Sequence, residues 1–162
     1  MNVWRNPFTG IRYHHPESNF IVFGGIDDIW IDSDGTITVV DYKATSKSEE
    51  VTIDAPWQRS YKNQIEIYQW LFRHNKFTVS DTGYFVYANA DRDVESFNNI
   101  LSFRTKLLPY TGNDSWIEGT LVNAKKCLLG DAIPSAGQYC DFCPYREAAG
   151  KSFRAHMTGL QQ

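Results

Sequence analysis

Two strand-forming runs flank a short turn near the start of the chain, and this hairpin constrains the fold more than any other feature. Residues 20–31 and Thr36–Tyr42 are rich in β-branched and aromatic residues, which favour strands. Residues 33–35 (Ser-Asp-Gly) form a strong turn signal between them. If these three residues are the loop, the strands pair so that Asp27 lies directly across from Asp41.

The hairpin therefore predicts two carboxylates and a lysine on one face of a sheet. Opposed residues on antiparallel strands have Cβ atoms about 4.5–5.5 Å apart. Alternation along the second strand then places Lys43 on the same face as Asp41. Two facing carboxylates repel unless a proton or a cation lies between them. Mg²⁺ suits such a pair because it prefers oxygen ligands and keeps positions for water and a phosphate.

This arrangement favours phosphodiester hydrolysis, in which the metal activates a water and the lysine orients that water and offsets negative charge. The alternative is structural, because an Asp and a Lys near the end of a strand are also typical of a solvated sheet edge. The pairing of Asp27 with Asp41 is the observation that favours the catalytic interpretation.

The rest of the chain predicts further helices and strands. A helix is expected from Pro56 to His74, with Asp54 as its cap, because proline suits the first helical position. Strands are expected over residues 81–90 and 96–110, and a second helix over residues 114–129. Strands that alternate with helices in this way indicate the α/β class.

Composition sets the size and setting of the fold. The 162 residues are 42% hydrophobic, which predicts one domain over residues 1–162 with a packed core. Within it, residues 1–19 are expected to be irregular, with at most one short strand, and residues 127–162 form a cysteine-bearing tail. No apolar run approaches the roughly 20 residues that span a bilayer, and no leader is recognised, so we expect a soluble, cytoplasmic protein without a membrane partner. The net charge of -3 argues against extended contacts with phosphates, but it leaves a metal-dependent nuclease open.

The predicted long helix carries a polar pair within an apolar stripe. Its stripe consists of residues three and four apart: Tyr61, Gln64, Ile65, Tyr68, Leu71 and Phe72. Gln64 and Tyr68 are one turn apart, so their polar ends can approach a single point. A glutamine in such a stripe needs hydrogen-bond partners, which either a site or the neighbouring backbone can supply.

Three stretches together resemble the RecB-like branch of the PD-(D/E)XK nuclease superfamily, in the order that the family uses. They are Gly25-Ile26-Asp27, Val39-Val40-Asp41-Tyr42-Lys43 and Gln64-Ile65-Glu66-Ile67-Tyr68. The resemblance implies a restriction-endonuclease-like core, which is a central mixed β-sheet flanked by helices. It also implies a deoxyribonuclease that hydrolyses DNA at single strands or ends in repair, recombination or defence. A helicase or another repair or defence subunit is the kind of protein partner that it implies.

The resemblance also implies the roles of particular residues. Asp27 and Asp41 would ligate Mg²⁺ or Mn²⁺ together with the backbone carbonyl of Tyr42, and Lys43 would be the catalytic lysine. The third stretch supplies residues that position this lysine and contact DNA: Gln64 and Tyr68.

Family members commonly carry a helix before the first strand, sometimes with a His or Glu that completes the metal site. Residues 1–19 look too few and too irregular for that helix, and His14, His15 and Glu17 are poor substitutes. The chain is therefore expected to be either a fragment or a shortened member of the family. The alternative is a catalytically weakened DNA-binding or assembly module with the same fold.

The cysteines resemble the C-terminal segment of iron–sulfur nucleases in this branch, which include the CRISPR-associated adaptation nucleases and the AddB-type enzymes. Those proteins use four thiolates, whereas this chain has Cys127, Cys140 and Cys143, with Ala149 where the last cysteine is expected. Three alternatives stay open: no metal, Zn²⁺ with His156 as fourth ligand, and an incomplete or shared iron–sulfur cluster. The zinc alternative carries a third function, an interaction domain stabilised by the tail.

Two further groups of residues are expected to be structural. Three tryptophans should pack in the core or between helices rather than stack on bases: Trp57, Trp70 and Trp116. The long helix also has a basic side, expected to be solvated: Arg59, Lys62, Arg73 and Lys76.

Overall fold

Residues 2–93, 96, 99–138, 140 and 142–159 are described by the computed structural model. In chain order the elements are α1 (Asn2–Arg5), β1 (Ile11–His15), β2 (Phe20–Gly24), β3 (Asp28–Ile31), β4 (Ile37–Thr45), a 3₁₀ turn (Pro56–Gln58), α2 (Arg59–His74), β5 (Thr82–Ala90), β6 (Phe103–Thr111), α3 (Trp116–Leu129) and α4 (Phe142–Gly159). They form two compact units, Met1–Asn123 and Ala124–Gln162.

The first unit is built on a mixed four-stranded sheet in the order β3-β4-β5-β6. Strands β4 and β5 are parallel, and the other two pairs are antiparallel. A parallel pair needs a long crossover, and α2 provides it between β4 and β5. The α/β class and the mixed sheet flanked by helices are therefore confirmed.

Helix α2 approaches the sheet closely because a glycine lies beneath it. A Cβ atom on Gly83 of β5 would lie 2.7 Å from Cγ2 of Ile65 and 3.1 Å from the carbonyl oxygen of Val39. Ile65, Leu71 and Phe72 are fully buried in the core that this approach creates. The helix face that carries Gln64 is thereby held close to β4.

The strand predicted over residues 20–31 is wrong as one element, because it divides into β2 and β3. Strand β2 pairs with β1 in a separate two-stranded sheet, so residues 1–19 contain the one short strand that was allowed for, together with a four-residue helix that was not predicted. The division follows from two glycines that let the backbone approach its neighbours. A Cβ on Gly24 would lie 2.7 Å from the ring of Tyr68, and one on Gly25 would lie 3.0 Å from Cα of Pro7.

The bounds of other elements differ from prediction by a few residues. Strand β4 starts one residue later than expected and continues to Thr45. Residues 97 and 98 of the strand predicted over 96–110 lie outside the described residues, and β6 begins only at Phe103. Ala55, not Asp54, precedes the 3₁₀ turn, while Asp54 forms an ion pair with Lys62 at 3.6 Å.

The second unit contains a helix that the sequence analysis did not predict. Helix α4 covers 18 residues and follows the first cysteine of the Cys-x-x-Cys pair. Among the described helices of the chain, each is either too short or too polar to cross a bilayer.

Candidate metal-dependent active site

The carboxylate hairpin has the predicted register. Asp28 pairs with Val40 and Ile31 pairs with Ile37, so that Asp27 lies just before β3, across from Asp41 in the middle of β4. Asp27 is exposed, and its Oδ2 accepts a hydrogen bond from the backbone N–H of Tyr42 at 2.9 Å. The backbone of β4 therefore holds this carboxylate beside the second one.

Asp41 is buried with one described donor beside it, the ammonium group of Lys43. Its side chain is 1% exposed, Nζ of Lys43 lies 2.6 Å from its Oδ2, and no other donor among the described residues reaches either carboxylate oxygen. Burial raises the pKa of Asp41, and the nearby charge of Asp27 raises it further, while Lys43 opposes both effects. A buried carboxylate of this kind is costly unless a cation or a proton compensates it. Its free oxygen lone pairs, together with Asp27, fit a divalent cation that prefers oxygen ligands.

Lys43 lies against Asp41 and is held in place by two side chains of α2. Its Nζ is 2.6 Å from Oδ2 of Asp41 and donates a hydrogen bond to Oε1 of Gln64 at 3.2 Å. The same ammonium group lies 4.4 Å from the ring centroid of Tyr61, a cation–π contact. Three neighbours thus determine where the lysine charge sits.

Gln64 and Tyr68 connect this lysine to the backbone before Asp27. Nε2 of Gln64 donates to the Tyr68 hydroxyl at 3.0 Å, and that hydroxyl donates to the carbonyl oxygen of Gly25 at 2.8 Å. Burial raises the pKa of Tyr68, so the phenol stays protonated and able to donate at neutral pH. The predicted convergence of the two polar ends is confirmed.

A second exposed network flanks the carboxylates and was missed by the sequence analysis. Arg5 of α1 pairs with Oδ1 of Asp28 at 2.6 Å, and the Tyr42 hydroxyl donates to Oδ2 at 2.9 Å. Burial raises the pKa of Asp28, but the hydrogen bonds from Arg5 and Tyr42 outweigh burial and hold that pKa below its usual value. No local pattern signals this contact, because Arg5 is 23 residues away in the chain.

The two histidines of β1 contact residues other than Asp27 and Asp41. His15 is buried, with Nδ1 2.8 Å from the Ser18 hydroxyl and Nε2 2.7 Å from Oε2 of Glu118. His14 lies 2.8 Å from Oδ1 of Asn19. In the described part of the chain, no group of three or more His, Cys, Asp or Glu side chains is arranged to hold a metal.

The described cysteines likewise form no group of three or more side chains that could hold a metal. Sγ of Cys140 lies 3.3 Å from Sγ of Cys143, and the hydrogen bond between them lowers the pKa of Cys140 and raises that of Cys143. Cys127 is exposed on α3 and His156 is exposed on α4.

The structure corrects the prediction for one of the tryptophans. Trp70 is buried and Trp116 is half-buried against the core, as expected, but Trp57 is 57% exposed on the 3₁₀ turn. Trp57 lines a cleft of about 60 Å³ together with Lys43, Lys47 and other residues of the same region. Exposure of this ring depends on which side of a short turn faces the core, and residue type alone does not indicate that.

The basic side of the long helix is solvated in part. Arg59 and Lys76 are exposed, as predicted. Arg73 is 29% exposed and pairs with Asp81 and Asp114, each at 2.6 Å, so its positive charge is not free.

Comparison with known proteins gives one match. A model of the PD-(D/E)XK nuclease superfamily matches residues 4–148, which is most of the chain. Searches of curated proteins and of solved structures gave no match.

Proposed function

The chain belongs to the PD-(D/E)XK nuclease superfamily, and we propose that it hydrolyses DNA phosphodiester bonds with Mg²⁺ or Mn²⁺. The substrates are single strands or ends, in DNA repair, recombination or defence. The observation that carries the proposal is the Asp41 carboxylate, which is buried across from Asp27 with the ammonium of Lys43 as its one described donor.

Asp27 and Asp41 are the ligands of the proposed metal, with the backbone carbonyl of Tyr42 as a third oxygen donor. The oxygens of Asp41 support this assignment, because Lys43 is their one described donor and a divalent cation would satisfy the remaining lone pairs. Bound there, such a cation supplies Lewis-acid polarisation of the phosphate and lowers the pKa of a water to make a nucleophile.

Lys43 is the proposed catalytic lysine. Its ammonium group offsets negative charge that develops on the phosphate and holds the attacking water by a hydrogen bond. Gln64 accepts from Nζ of Lys43, and Tyr68 fixes the amide of Gln64 by accepting from its other end. These two residues keep the lysine in position, and we propose that they also contact the DNA.

Placement in the RecB-like branch rests on the three ordered stretches that end at Asp27, Lys43 and Tyr68. A helicase or another repair or defence subunit as partner belongs to the same proposal.

One observation favours a second candidate, a DNA-binding or assembly module with weakened chemistry. Helix α1 has only four residues and no acidic side chain, and its Arg5 pairs with Asp28 rather than adding a ligand. A site with two carboxylates holds a metal less tightly than one with three.

The test is cleavage of labelled single-stranded and duplex DNA with Mg²⁺ or Mn²⁺ and with EDTA. We expect cleavage that requires the metal and is lost in Asp27→Asn. The matched control is Asp32→Asn, which changes another exposed carboxylate of the same hairpin without a described side-chain contact. No cleavage by folded wild-type protein with either metal would contradict the proposal and favour the binding module.

A further inference from the structure

An exposed aromatic ring lies next to the proposed catalytic lysine. Trp57 is 57% exposed, and it lines the same cleft as Lys43. Its ring meets that of Tyr61 edge-on, with centroids 5.5 Å apart and planes at 83°. Because Tyr61 in turn lies under the ammonium of Lys43, the two aromatic rings link the exposed tryptophan directly to the active site.

Buried polar side chains hold the backbone around Trp57. Gln58 is 2% exposed and accepts from the N–H of Ala55 at 2.9 Å through Oε1. Its Nε2 donates to the carbonyl oxygen of Thr52 at 2.7 Å and lies 3.3 Å from the Tyr87 hydroxyl. Burying this amide anchors the turn from the inside, so the tryptophan next to it points outward on a fixed backbone.

A lysine is fixed in the same cleft by a second buried amide. Asn89 accepts from the backbone N–H of Lys47 at 2.8 Å and donates to its carbonyl oxygen at 2.9 Å. Nζ of Lys47 lies 5.3 Å from the ring centroid of Trp57, and within the described residues it forms no ion pair. Its charge is therefore available to an anion, unlike the paired cations of α2.

We propose that Trp57 and Lys47 form a subsite for single-stranded DNA, in which an unpaired base stacks on Trp57 and its phosphate pairs with Lys47. The subsite rests on the proposed nuclease function and names its substrate class. The cleft is too small, at about 60 Å³, to enclose a base, so the base lies on the exposed surface of the ring. The phosphate that pairs with Lys47 and the scissile phosphate near Lys43 then belong to the same DNA strand.

Duplex DNA does not meet this requirement, because each paired base is already stacked on both faces. Stacking on an aromatic side chain therefore selects unpaired bases, and it does so with little regard to sequence. The chain also carries a net charge of -3, so it cannot rely on many phosphate contacts for affinity. An aromatic contact is the kind of interaction that retains its strength when salt is raised.

The test is the affinity of the full chain for a labelled oligothymidylate, measured by fluorescence anisotropy in EDTA so that no cleavage occurs. We expect Trp57→Ala to weaken binding roughly 5- to 150-fold, the range for loss of one stacked base. Trp57→Phe should retain most of the affinity. Trp30→Ala is the matched control, since Trp30 is also exposed but packs against Tyr84, away from the cleft.

Salt dependence separates the two parts of the subsite. Lys47→Ala should lower the slope of log affinity against log salt by about 0.7, the value for one phosphate contact to a single strand. Trp57→Ala should leave that slope unchanged. The single-stranded oligonucleotide should also quench the intrinsic fluorescence of the wild type more than that of Trp57→Phe, a measurement that does not depend on the stability of the alanine variant.

Equal binding of wild type and Trp57→Ala, or no preference of the wild type for single strands over duplex, would overturn the subsite. Absence of any single-strand binding by the wild type would do the same. Failure of the proposed hydrolysis is distinguishable: binding that needs Trp57 without cleavage in Mg²⁺ or Mn²⁺ would reject the nuclease and keep the subsite. Normal cleavage with unaltered binding in Trp57→Ala would reject the subsite and keep the nuclease.

Discussion

Two buried carboxylates, Asp41 on β4 and Glu66 on α2, are each 1% exposed, yet their surroundings are opposite. Glu66 has a complete set of donors. The Tyr110 hydroxyl and the N–H of Asn113 donate to its Oε1, and the Trp116 indole donates to its Oε2 at 2.6 Å. Asp41 has one described donor, the ammonium of Lys43 at 2.6 Å from its Oδ2, and it faces the carboxylate of Asp27.

The difference separates a structural carboxylate from the one that we propose to bind a metal. Glu66 joins α2 to the end of β6 and to the start of α3, and burial together with its carboxylate raises the pKa of Tyr110 to about 12, so the phenol remains a donor. Its charge is satisfied within the fold. The lone pairs of Asp41 that Lys43 does not occupy remain available to a ligand. Burial alone therefore does not distinguish the two carboxylates, whereas their donors do.

Removing Lys43, which contacts Asp41, should have the largest effect on the rate of cleavage. Lys43→Ala deletes the cation that lies 2.6 Å from Asp41, and we expect kcat to fall roughly 100- to 1,000-fold, the range for loss of a group that stabilises transition-state charge. The measurement is single-turnover cleavage of DNA with saturating Mn²⁺. The control is Lys62→Ala, which removes a different lysine, one that lies on α2 and pairs with Asp54. A rate within threefold or so of wild type would place catalysis elsewhere.

Added metal should stabilise the protein through the same carboxylate. At a Mg²⁺ or Mn²⁺ concentration about 100 times Kd, the free energy of unfolding should rise by about 2.7 kcal/mol in the wild type. Asp41→Asn should show no such increase, while Glu66→Gln should keep it, because its carboxylate is already satisfied. Urea denaturation with metal and with EDTA measures both. Equal stabilisation of the wild type and Asp41→Asn would show that the metal binds at another place.

Glu66→Gln should instead affect stability in the absence of metal. The new NH₂ group must face either the backbone N–H of Asn113 or the Trp116 indole N–H, neither of which can accept, so a donor then meets a donor. We expect a loss of about 2 kcal/mol in the free energy of unfolding, typical of a hydrogen bond to a charged group that is left unmade. Tyr110→Phe, which removes one donor only, should cost about 1 kcal/mol. Wild-type stability in Glu66→Gln would mean that the donors around Glu66 contribute nothing.

The smallest expected effect is a pH dependence that belongs to Asp41. Because burial raises its pKa in the folded state, the native protein binds more protons than the unfolded chain between the ordinary Asp value of about 3.9 and the raised value. In EDTA, the free energy of unfolding contributed by this group is therefore highest below that window and falls as the pH rises through it. Asp41→Asn lacks this contribution, so the difference between the two proteins isolates it. A difference that is independent of pH, or that grows with rising pH, would contradict the assignment.

Local patterns were sufficient to predict the carboxylate hairpin and the helix that faces it. The turn at residues 33–35 and strand alternation determine the register that pairs Asp28 with Val40. The spacing of Gln64 and Tyr68 likewise determines that their polar ends meet. Both predictions concern residues of one hairpin or one helical turn, where backbone geometry leaves few alternatives.

Features that depend on distant contacts were not predictable. The division of residues 20–31 into β2 and β3 depends on the approach of Tyr68 to Gly24 and Gly25 from 43 residues away. The satisfaction of Glu66 depends on Tyr110 and Trp116, which reach it only in the folded chain. Exposure of Trp57 has the same origin, because the burial of Gln58 determines which side of the turn faces solvent.

The most direct test of Asp41 as a metal ligand is a side-by-side cleavage assay of Asp41→Asn and Glu66→Gln on labelled single-stranded DNA with Mn²⁺. Both variants replace a carboxylate that is 1% exposed by its neutral amide, so they differ only in what surrounds the group. We expect Asp41→Asn to lose cleavage by at least about 100-fold, because it removes a ligand of the metal that would stabilise transition-state charge. Glu66→Gln should cleave at a rate close to wild type at a temperature where it remains folded. Full activity in Asp41→Asn, or equal loss of activity in both variants while both are folded, would contradict the proposed role of Asp41.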